Sequence, residues 1–220
     1  MIYLDNAATT PIRPEVLDAM MPYLTNNYAN PGSLYKDGQD AAKAIEIARE
    51  QVASLFNCDA KNIIFTSGGS EGNSLALCGV RQYLSIRNRK RIISSVVEHN
   101  SVLYALSSLM HFDGFYVNLL DVSKDCIIDF DHLRVLMDDD DVGLVSVMRV
   151  NNETGAVNPV GEIGALCEER GVLFHTDCVQ AVGMYDLDVT DMHCDFATIS
   201  SHKIHGPKGV GAVYAKNKNK

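Results

Sequence analysis

A lysine near the end of the chain has a setting that suggests covalent chemistry. Lys203 lies in the stretch SSHKIHGPKGVGAVY, residues 200–214, between two histidines and before a glycine-rich turn. A lysine at the edge of a low-dielectric cleft loses its proton more easily than a solvated one, and its neutral amine is a nucleophile. Most lysines beside glycines are simply solvated, so this motif alone indicates little.

An aspartate and a histidine follow two other apolar runs. Asp177 comes directly after residues 172–176, and a carboxylate at the end of a buried strand costs free energy unless a cation or a hydrogen-bond donor meets it. His99 comes shortly after residues 92–97. A lone histidine in that position is more often a hydrogen-bonded loop residue than a ligand contact, so Asp177 is the stronger candidate.

A turn of small residues follows a third apolar run. The letters SGGSEGN, residues 67–73, come after residues 63–66 and lead into a segment of helical period. Exposed amides at a helix start favour an anion, and glycines let a phosphate approach the backbone closely. A Walker A loop is excluded because the required Lys-Ser/Thr pair is missing. A tight turn with an ordinary helix cap is the alternative interpretation.

Taken together, these features predict one ligand. Ligands of open α/β sheets bind outside the carboxyl ends of the strands, where an anion site, a ring partner in His99, the carboxylate of Asp177 and the amine of Lys203 would meet. A phosphorylated aromatic aldehyde, joined to the lysine as a Schiff base with its ring nitrogen against the carboxylate, would use all four. Pyridoxal phosphate is that molecule.

The elements that must position these residues alternate between short β-branched runs and longer segments of helical period. This alternation predicts an α/β protein, a three-layer α/β/α domain around a mostly parallel seven-stranded sheet. The predicted strands are residues 63–66, 92–97, 115–120, 143–148, 172–176, 196–199 and 211–214, and the predicted helices are 14–24, 39–56, 72–84, 101–112, 130–137 and 163–170. Residues 14–24 and 39–56 each carry an apolar stripe typical of an amphipathic helix.

Composition restricts the class of protein. The 220 residues are 46% hydrophobic, enough for one large domain with a sizeable core. A formal net charge of -9 disfavours nucleic acid as a partner, and no apolar run approaches the roughly 20 residues that span a bilayer. Since the chain begins with neither a basic region nor a signal-type core, we expect a cytoplasmic protein.

Cysteines and acidic residues predict no metal site. The six cysteines are scattered without a C-x-x-C pair, which indicates neither a disulfide framework nor structural zinc. The acidic run at residues 138–141 is interpreted as a solvated loop between a helix and a strand. Free thiols fit a reducing compartment.

The sequence resembles the cysteine desulfurase (NifS-like) branch of the class V aminotransferase superfamily, which has fold type I, from residue 2 to about residue 215. The stretches that carry this resemblance are YLDNAATTP (3–11), NPGS (30–33), FTSGGSE (65–71), EH (98–99), VNNE (150–153), HTDCVQ (175–180) and SSHK (200–203). Seven blocks in this order are specific for the family and less so for the substrate.

The resemblance implies roles for individual residues. Lys203 would bind the aldehyde of pyridoxal phosphate and later move the Cα proton of the substrate, Asp177 would hold the proton of the ring nitrogen, and His99 would stack on the ring. The other implied contacts are Asn152 and Gln180 with the phenolic oxygen, Gly69, Ser70, Ser200 and His202 with the phosphate, and Ala8, Thr9 and Asn30 with the substrate.

The resemblance also implies a reaction and partners. L-cysteine would be converted to alanine while an enzyme cysteine takes the sulfur as a persulfide, and the sulfur would pass to an iron–sulfur scaffold protein or to tRNA thiolation. A homodimer is implied, because fold-type I sites lie at a subunit interface. Two substitutions depart from the family pattern: Tyr35 stands where a histidine is usual, and Ser70 replaces a threonine but keeps the hydroxyl.

The domain boundaries expected from the resemblance leave one part out. Residues 1–15 form an N-terminal segment of the substrate site, 16–215 the large domain that binds pyridoxal phosphate, and 216–220 a frayed tail, while the C-terminal small domain is absent. In the family, that domain carries the arginine for the substrate carboxylate and the persulfide cysteine. None of the six cysteines matches that nucleophile, and Cys178 is expected to pack as a small apolar residue.

Several alternatives stay open at this point. The chain could belong to another class V enzyme, a selenocysteine lyase or an aminotransferase, or it could be a catalytically silent module that binds pyridoxal phosphate. It could be a fragment, a natural truncation or one half of a split enzyme. The sequence does not identify the sulfur acceptor.

Overall fold

A computed structural model describes residues 2–216 as a seven-stranded sheet between two layers of helices. The strand order is β1-β7-β6-β5-β4-β2-β3, and β7 alone runs antiparallel to both of its neighbours. The strands are β1 Ile63–Thr66, β2 Arg91–Ser95, β3 Tyr116–Leu120, β4 Val142–Ser146, β5 Leu173–Asp177, β6 Phe196–Ser200 and β7 Gly211–Ala215. The predicted α/β class and the mostly parallel sheet are confirmed.

Eight α-helices are found in the described part of the chain. They are α1 Pro14–Thr25, α2 Lys36–Leu55, α3 Gly69–Gly79, α4 Arg81–Ile86, α5 Asn100–Asp113, α6 Phe130–Leu136, α7 Val160–Arg170 and α8 Val189–Met192. Helices α3, α4 and α5 bury their apolar residues on one face of the sheet, and α2, α6, α7 and α8 on the other. The two faces form separate apolar clusters, because the sheet lies between them.

The helices differ from the sequence prediction in where they begin and in their number, and α2 and α7, like α3, begin three residues earlier than predicted. The single helix expected at residues 72–84 begins three residues earlier, at Gly69, and is interrupted at Val80 into α3 and α4. Helix α8 was not predicted, because four residues are too few for a periodic signal; Asp188 caps it by accepting a hydrogen bond from the Thr190 amide.

Helix α1 forms where the apolar period predicts it, with Pro14 at its first turn, where a missing amide hydrogen has no cost. Its stripe is only partly covered by the rest of residues 2–216, since Val16 and Met20 are half-buried. Leu17, Met21 and Leu24 are 41%, 42% and 63% exposed, and the helix has no buried residue. The sequence pattern therefore correctly indicates the helix and leaves its packing partner undefined.

Loops and the chain end have their own contacts. The acidic loop between α6 and β4 meets arginines, with Arg170 Nη1 at 3.0 Å from Asp138 and Arg91 Nε at 2.7 Å from Asp141. Of the tail predicted to fray, Lys216 donates its amide to the Asp195 carbonyl at 2.8 Å, and residues 217–220 lie outside the described residues. Within residues 2–216 no helix is long and apolar enough to cross a membrane.

The sheet face under α3 and α5 changes from apolar to polar towards the carboxyl ends of the strands. Ile92, Leu144 and Leu173 form its apolar part. Two residues further along each strand lie Ser94, Ser146 and His175, which are fully buried and hydrogen-bonded in series together with Thr198 of β6. The strands therefore carry polar groups towards the sheet edge at which the candidate site lies.

Candidate active site

A cavity of about 450 Å³ opens at the carboxyl ends of β4, β5 and β6. Strands β2 and β4 are neighbours in the sheet, but the helices that follow them cover opposite faces: α5, after β2, covers one face and α7, after β4, covers the other. Ligands of open α/β sheets bind where two neighbouring strands continue to opposite faces in this way. The lining residues are Asp5, Ala7, Ala8, Gly69, Ser70, Asn73, His99, Ser101, Met148, Asn152, Glu153, Asp177, Val179, Gln180, Ser200, His202 and Lys203.

Asp177 ends β5 as a buried carboxyl group, only 4% exposed. Its Oδ1 accepts a hydrogen bond from the Val179 amide at 2.9 Å, and its Oδ2 accepts one from Asn73 Nδ2 at 2.7 Å. Burial raises the pKa of Asp177, while these hydrogen bonds and the nearby His99 and Lys203 act in the opposite direction. The group is arranged to act as an acceptor and lacks a directly bonded cation among residues 2–216.

His99 precedes the first residue of α5 and caps that helix. Its Nδ1 accepts a hydrogen bond from the Ser101 amide at 3.1 Å and lies 2.8 Å from the Ser101 hydroxyl. The imidazole is exposed and lines the cavity, so its flat face is available to an aromatic ring. The capping contacts fix the orientation of the imidazole.

Helix α3 begins at the cavity with no side-chain cap on its first amides. Glu71 instead bonds backward to the Ser67 amide at 2.5 Å, and Gly69 and Ser70 line the cavity. A Cβ atom on Gly69 would meet Val179 Cγ2 at 2.7 Å, so glycine lets the helix start lie against the end of β5. Uncapped amides at a helix start favour an anion, and a phosphate site at this turn stays a prediction.

Lys203 reaches the cavity from the 3₁₀ turn after β6. Its Nζ donates hydrogen bonds to the carbonyls of Ala7 and Ala8 in the N-terminal segment, the second at 3.1 Å. Burial lowers the pKa of Lys203, and the charges of Asp177 and Asp5 partly offset that effect. A lowered pKa increases the fraction of neutral amine, which is the nucleophilic form.

Most of the other predicted site residues also line the cavity. Gln180 Nε2 donates to the Ala7 carbonyl at 2.9 Å, Asn152 Nδ2 donates to Glu153 Oε1 at 2.9 Å, and the buried Ser200 and partly buried His202 lie at the end of β6. Burial lowers the pKa of His202, and Lys203 and Lys208 lower it further. These side chains surround one volume, although they lie far apart along the chain.

Two predicted substrate residues are not part of the cavity wall. Thr9 lies behind His202, with its Oγ1 at 3.2 Å from His202 Nδ1. Asn30 is exposed, and its Oδ1 accepts a hydrogen bond from the Gly32 amide in a local turn. Their contact with a substrate stays a prediction, whereas Ala8 does line the cavity.

Comparison with known proteins agrees with this geometry. The family model "Aminotransferase class-V" matches residues 2–220. The chain belongs to the class-V aminotransferase family.

Relatives within this family carry a common name. A cysteine desulfurase from Homo sapiens is 49% identical over 218 residues, which are 99% of this chain and 47% of that protein. A cysteine desulfurase IscS from Clostridium botulinum (strain Kyoto / Type A2) is 42% identical over 216 residues, 98% of this chain and 54% of that protein. The chain thus spans about half the length of the curated relatives it matches.

Solved structures with this fold include a NifS-like protein, with a TM-score of 0.93 and 33% identity over 98% of this chain and 59% of that one. A second, described as SspA in complex with cysteine, gives a TM-score of 0.92 and 34% identity over 99% of this chain and 62% of that one. This chain therefore has the same fold as the matched part of the NifS-like protein.

The polar groups of the cavity fit pyridoxal phosphate, the cofactor that class-V aminotransferases use. The uncapped start of α3 beside Ser200 and His202 suits a phosphate dianion, and the buried Asp177 suits a protonated ring nitrogen. Asn73 supports this fit, because it is 1% exposed, turns its amide nitrogen towards Asp177 and leaves its Oδ1 without a partner. The donor set is that of a site for an anionic, aromatic cofactor.

Sequence reasoning missed four polar residues of the cavity wall, Asp5, Asn73, Ser101 and Glu153, and also the neighbouring Glu98. Asn73 and Ser101 lie on α3 and α5 and meet at 2.9 Å, and Glu98 is a buried carboxyl whose Oε1 accepts hydrogen bonds from the Ser95 hydroxyl and the Met148 amide. Asn73 could have been found as a polar residue on the buried side of an amphipathic helix. No local signal marks Glu98, because its burial depends on how β2 and β4 lie side by side.

The cysteines lie away from the cavity. Among residues 2–216, no cysteine lines it, and all six have free thiols. Cys178 follows Asp177 but is fully buried, and burial raises the pKa of its thiol to about 12. As expected from the sequence, Cys178 packs as a small apolar residue and is not a thiolate nucleophile.

Proposed function

We propose that this chain is the cofactor-binding part of a pyridoxal-phosphate-dependent cysteine desulfurase, an enzyme that releases alanine from L-cysteine and passes the sulfur on. The observation that carries the proposal is the convergence of Asp177, His99, Lys203 and the uncapped start of α3 on one cavity. The relatives named cysteine desulfurase and the solved complex with cysteine support the choice of substrate.

The chain's own residues would divide the work as follows. The start of α3 with Ser70, Ser200 and His202 binds the phosphate group, and His99 supports the flat face of the ring. Asn152 and Gln180 hold the phenolic oxygen. When bound, pyridoxal phosphate supplies an electron sink that makes the α-hydrogen of an amino acid acidic.

Asp177 would supply the negative charge opposite the ring nitrogen, and Lys203 would move the α-proton of the substrate. The carboxylate of Asp177 keeps the ring nitrogen protonated, and burial strengthens that ion pair. Lys203, whose pKa is lowered by burial, binds the cofactor through its amine and then takes the α-proton of the substrate. Ala8 and the neighbouring N-terminal segment contact the substrate, and Thr9 and Asn30 are placed close to it by the same proposal.

The whole enzyme would act as a homodimer and deliver sulfur to an acceptor or scaffold protein. Its six free thiols fit the cytoplasm, a reducing compartment. Neither nucleic acid nor a membrane is needed for this role.

The experiment that tests the cofactor assignment is a visible absorbance spectrum after addition of pyridoxal phosphate. The chain is expected to develop the absorbance of a lysine-bound cofactor, and Lys203→Ala is expected to lose it because the amine is gone. Lys208→Ala, an exposed lysine of the same segment that does not line the cavity, is the matched control. A colourless wild-type chain at saturating cofactor would rule out the assignment.

A catalytically silent module is the second candidate, because no cysteine lines the cavity among the described residues. Alanine release from L-cysteine by the whole protein separates the two, since only a desulfurase produces it. The same assay with L-selenocysteine and with a keto-acid acceptor distinguishes a selenocysteine lyase and an aminotransferase.

A further inference from the structure

Two side chains link Asp177 and His99, the two groups that face the ring of the proposed cofactor. Asn73 Nδ2 on α3 donates hydrogen bonds to Asp177 Oδ2 at 2.7 Å and to the Ser101 hydroxyl at 2.9 Å. The same hydroxyl lies 2.8 Å from His99 Nδ1. A continuous path of hydrogen bonds therefore runs from the carboxyl group at the end of β5 to the imidazole at the start of α5.

The direction of each hydrogen bond in this path is fixed by its neighbours. The Ser101 amide can only donate, so His99 Nδ1 must accept, and the neutral imidazole carries its proton on Nε2. The Ser101 hydroxyl then donates to His99 and accepts from Asn73. Both amide hydrogens of Asn73 are used, one on Ser101 and one on Asp177, and reversing the amide would place oxygen against the carboxyl oxygens.

The unpartnered oxygen of Asn73 indicates that its amide hydrogens are what the site requires. The residue is 1% exposed, and its Oδ1 is buried without a hydrogen bond. Burial of an unpaired acceptor is destabilising, and a leucine of similar volume would avoid that cost. A purely packing role does not account for an asparagine here, whereas two donations to fixed acceptors do.

We propose that Asn73 and Ser101 are positioning residues that couple His99 to Asp177. Asn73 holds the Asp177 carboxylate as an acceptor for a ring nitrogen, and Ser101 holds His99 with Nδ1 as an acceptor and with a ring proton on Nε2. The effect on the electronic state of a bound ring rests on the proposed function. The hydrogen-bond network itself is formed by this chain without the cofactor. Two residues on α3 and α5 would thus influence the protonation of a cofactor that is bound at the strand ends.

The groups around Asp177 have opposite effects on its pKa. Burial favours the protonated form of Asp177, while the hydrogen bonds from Val179 and Asn73 and the nearby His99 and Lys203 favour the carboxylate. The neighbouring Glu98, whose pKa burial raises to about 8, is uncharged at neutral pH. Removal of the Asn73 donors leaves one direct hydrogen bond on Asp177, from the Val179 amide. Asp177 would then bind a proton more readily and hold the ring nitrogen less strongly.

The first test needs no cofactor. Nitrogen-15 NMR of the imidazole in the chain by itself is expected to show His99 as the neutral form with Nε2 protonated and Nδ1 bare. Ser101→Ala keeps the Ser101 amide and removes only the hydroxyl, so it is expected to keep the tautomer and to shift the Nδ1 resonance of His99, and Ser101→Thr, which keeps the hydroxyl, is expected to restore the wild-type shift. A wild-type His99 protonated on Nδ1 would contradict the network, whatever the chain binds.

The second test uses the chain loaded with pyridoxal phosphate and follows the visible spectrum as a function of pH. Asn73→Leu is expected to weaken cofactor binding roughly tenfold, the effect of one lost hydrogen bond to a charged group, and to shift the pH midpoint of the absorbance. Ser101→Ala is expected to shift the midpoint in the same direction with a smaller loss of affinity. Because Ser101→Ala keeps the amide cap of α5, it provides the test if Asn73→Leu does not fold.

Two exposed serines on the same helices serve as controls, Ser74→Ala on α3 and Ser108→Ala on α5. Both are expected to leave the midpoint and the affinity unchanged. Cofactor binding by Asn73→Leu and Ser101→Ala with wild-type affinity and midpoint would overturn the positioning role and leave the proposed function intact. Failure of the wild-type chain to bind pyridoxal phosphate would overturn the proposed function, and the NMR test would still decide the network.

Discussion

A carboxyl group with one unpartnered oxygen lies next to the cavity. Glu98 is 6% exposed; its Oε1 accepts hydrogen bonds from the Ser95 hydroxyl at 2.6 Å and the Met148 amide at 3.0 Å, and its Oε2 is buried without a partner. Burial, together with the charge of Asp177, raises its pKa to about 8, although the two hydrogen bonds act in the opposite direction. Glu98 therefore connects the ends of β2 and β4 through hydrogen bonds and remains protonated near neutral pH.

The raised pKa of Glu98 predicts a pH-dependent stability. The folded state holds this proton up to about pH 8, while the unfolded chain releases it near 4.5, so the free energy of unfolding falls as pH rises through that window. Glu98→Gln, which resembles the protonated form, is expected to remove this fall and to be more stable than wild type at pH 8 by a few kcal/mol. Chemical denaturation between pH 5 and pH 8 measures it.

Other groups contribute to the same curve, so the difference between wild type and variant is the quantity to compare. Asp177, whose pKa burial also raises, contributes with the same sign, while burial lowers the pKa of His175 to about 3 and makes stability fall as pH drops below 6.5. Glu50→Gln, at an exposed position of α2, is the matched control. A difference between wild type and Glu98→Gln that does not change with pH would contradict the assignment.

At the scale of elements, the close approach of α3 to the sheet places its start at the cavity. Gly72 faces Thr198 of β6, and a Cβ atom there would meet Thr198 Cγ2 at 2.6 Å and Val213 Cγ2 at 3.0 Å. Thr198 also closes the buried polar series, with its Oγ1 at 3.3 Å from His175 Nε2. Thr198 therefore packs against α3 through its methyl group and hydrogen-bonds the buried His175 through its hydroxyl.

This contact predicts a coupled pair of substitutions. Gly72→Ala is expected to destabilise the fold by about 1–3 kcal/mol, because the added methyl group overpacks a buried contact. Thr198→Ser removes Cγ2 and keeps the hydroxyl, so the double variant is expected to recover about 1 kcal/mol relative to the sum of the single changes. Denaturant midpoints of the four proteins measure the coupling.

Gly79→Ala is the control for that pair, because it lies on the same helix and its Cβ atom would meet nothing within 4 Å. We expect this change to be neutral or slightly stabilising. Additive effects of Gly72→Ala and Thr198→Ser would show that the two residues do not press on each other.

Across the whole molecule, the exposed large apolar residues are densest in the first 35 positions, which hold ten of them. They are Ile2, Tyr3, Leu4, Leu17, Met21, Tyr23, Leu24, Tyr28, Leu34 and Tyr35. The same segment supplies Asp5, Ala7 and Ala8 to the cavity wall. The part of the cavity built by the sheet is thus well packed, whereas the part built by the N-terminal segment borders an uncovered surface.

The composition of the cavity wall predicts how far the reaction proceeds in this chain. Because no cysteine lines the cavity among residues 2–216, we expect the chain with pyridoxal phosphate to release no more alanine from L-cysteine than Lys203→Ala does. Alanine quantified by chromatography over several hours measures this. Alanine release that depends on Lys203 would show that the described residues suffice for desulfuration.

Site residues that come directly after a strand could be predicted from the sequence. Asp177, Lys203 and the turn at Gly69 each lie at the end of an apolar run, so local pattern and the position of strand ends in an α/β sheet were enough to group them. The seven strands were predicted for the same reason, since each is a short β-branched run within its own neighbourhood of the chain. Such signals need no knowledge of distant residues.

Only the tertiary structure decided which distant groups meet. Asn73 and Asp177 are 104 residues apart and share a hydrogen bond, Thr9 supports His202 from 193 residues away, and Glu98 is buried because β2 and β4 lie side by side. The apolar period of α1 predicted its helix and left its cover undefined. Periodicity along the chain determines what each segment becomes, whereas contacts between segments depend on packing that no single stretch encodes.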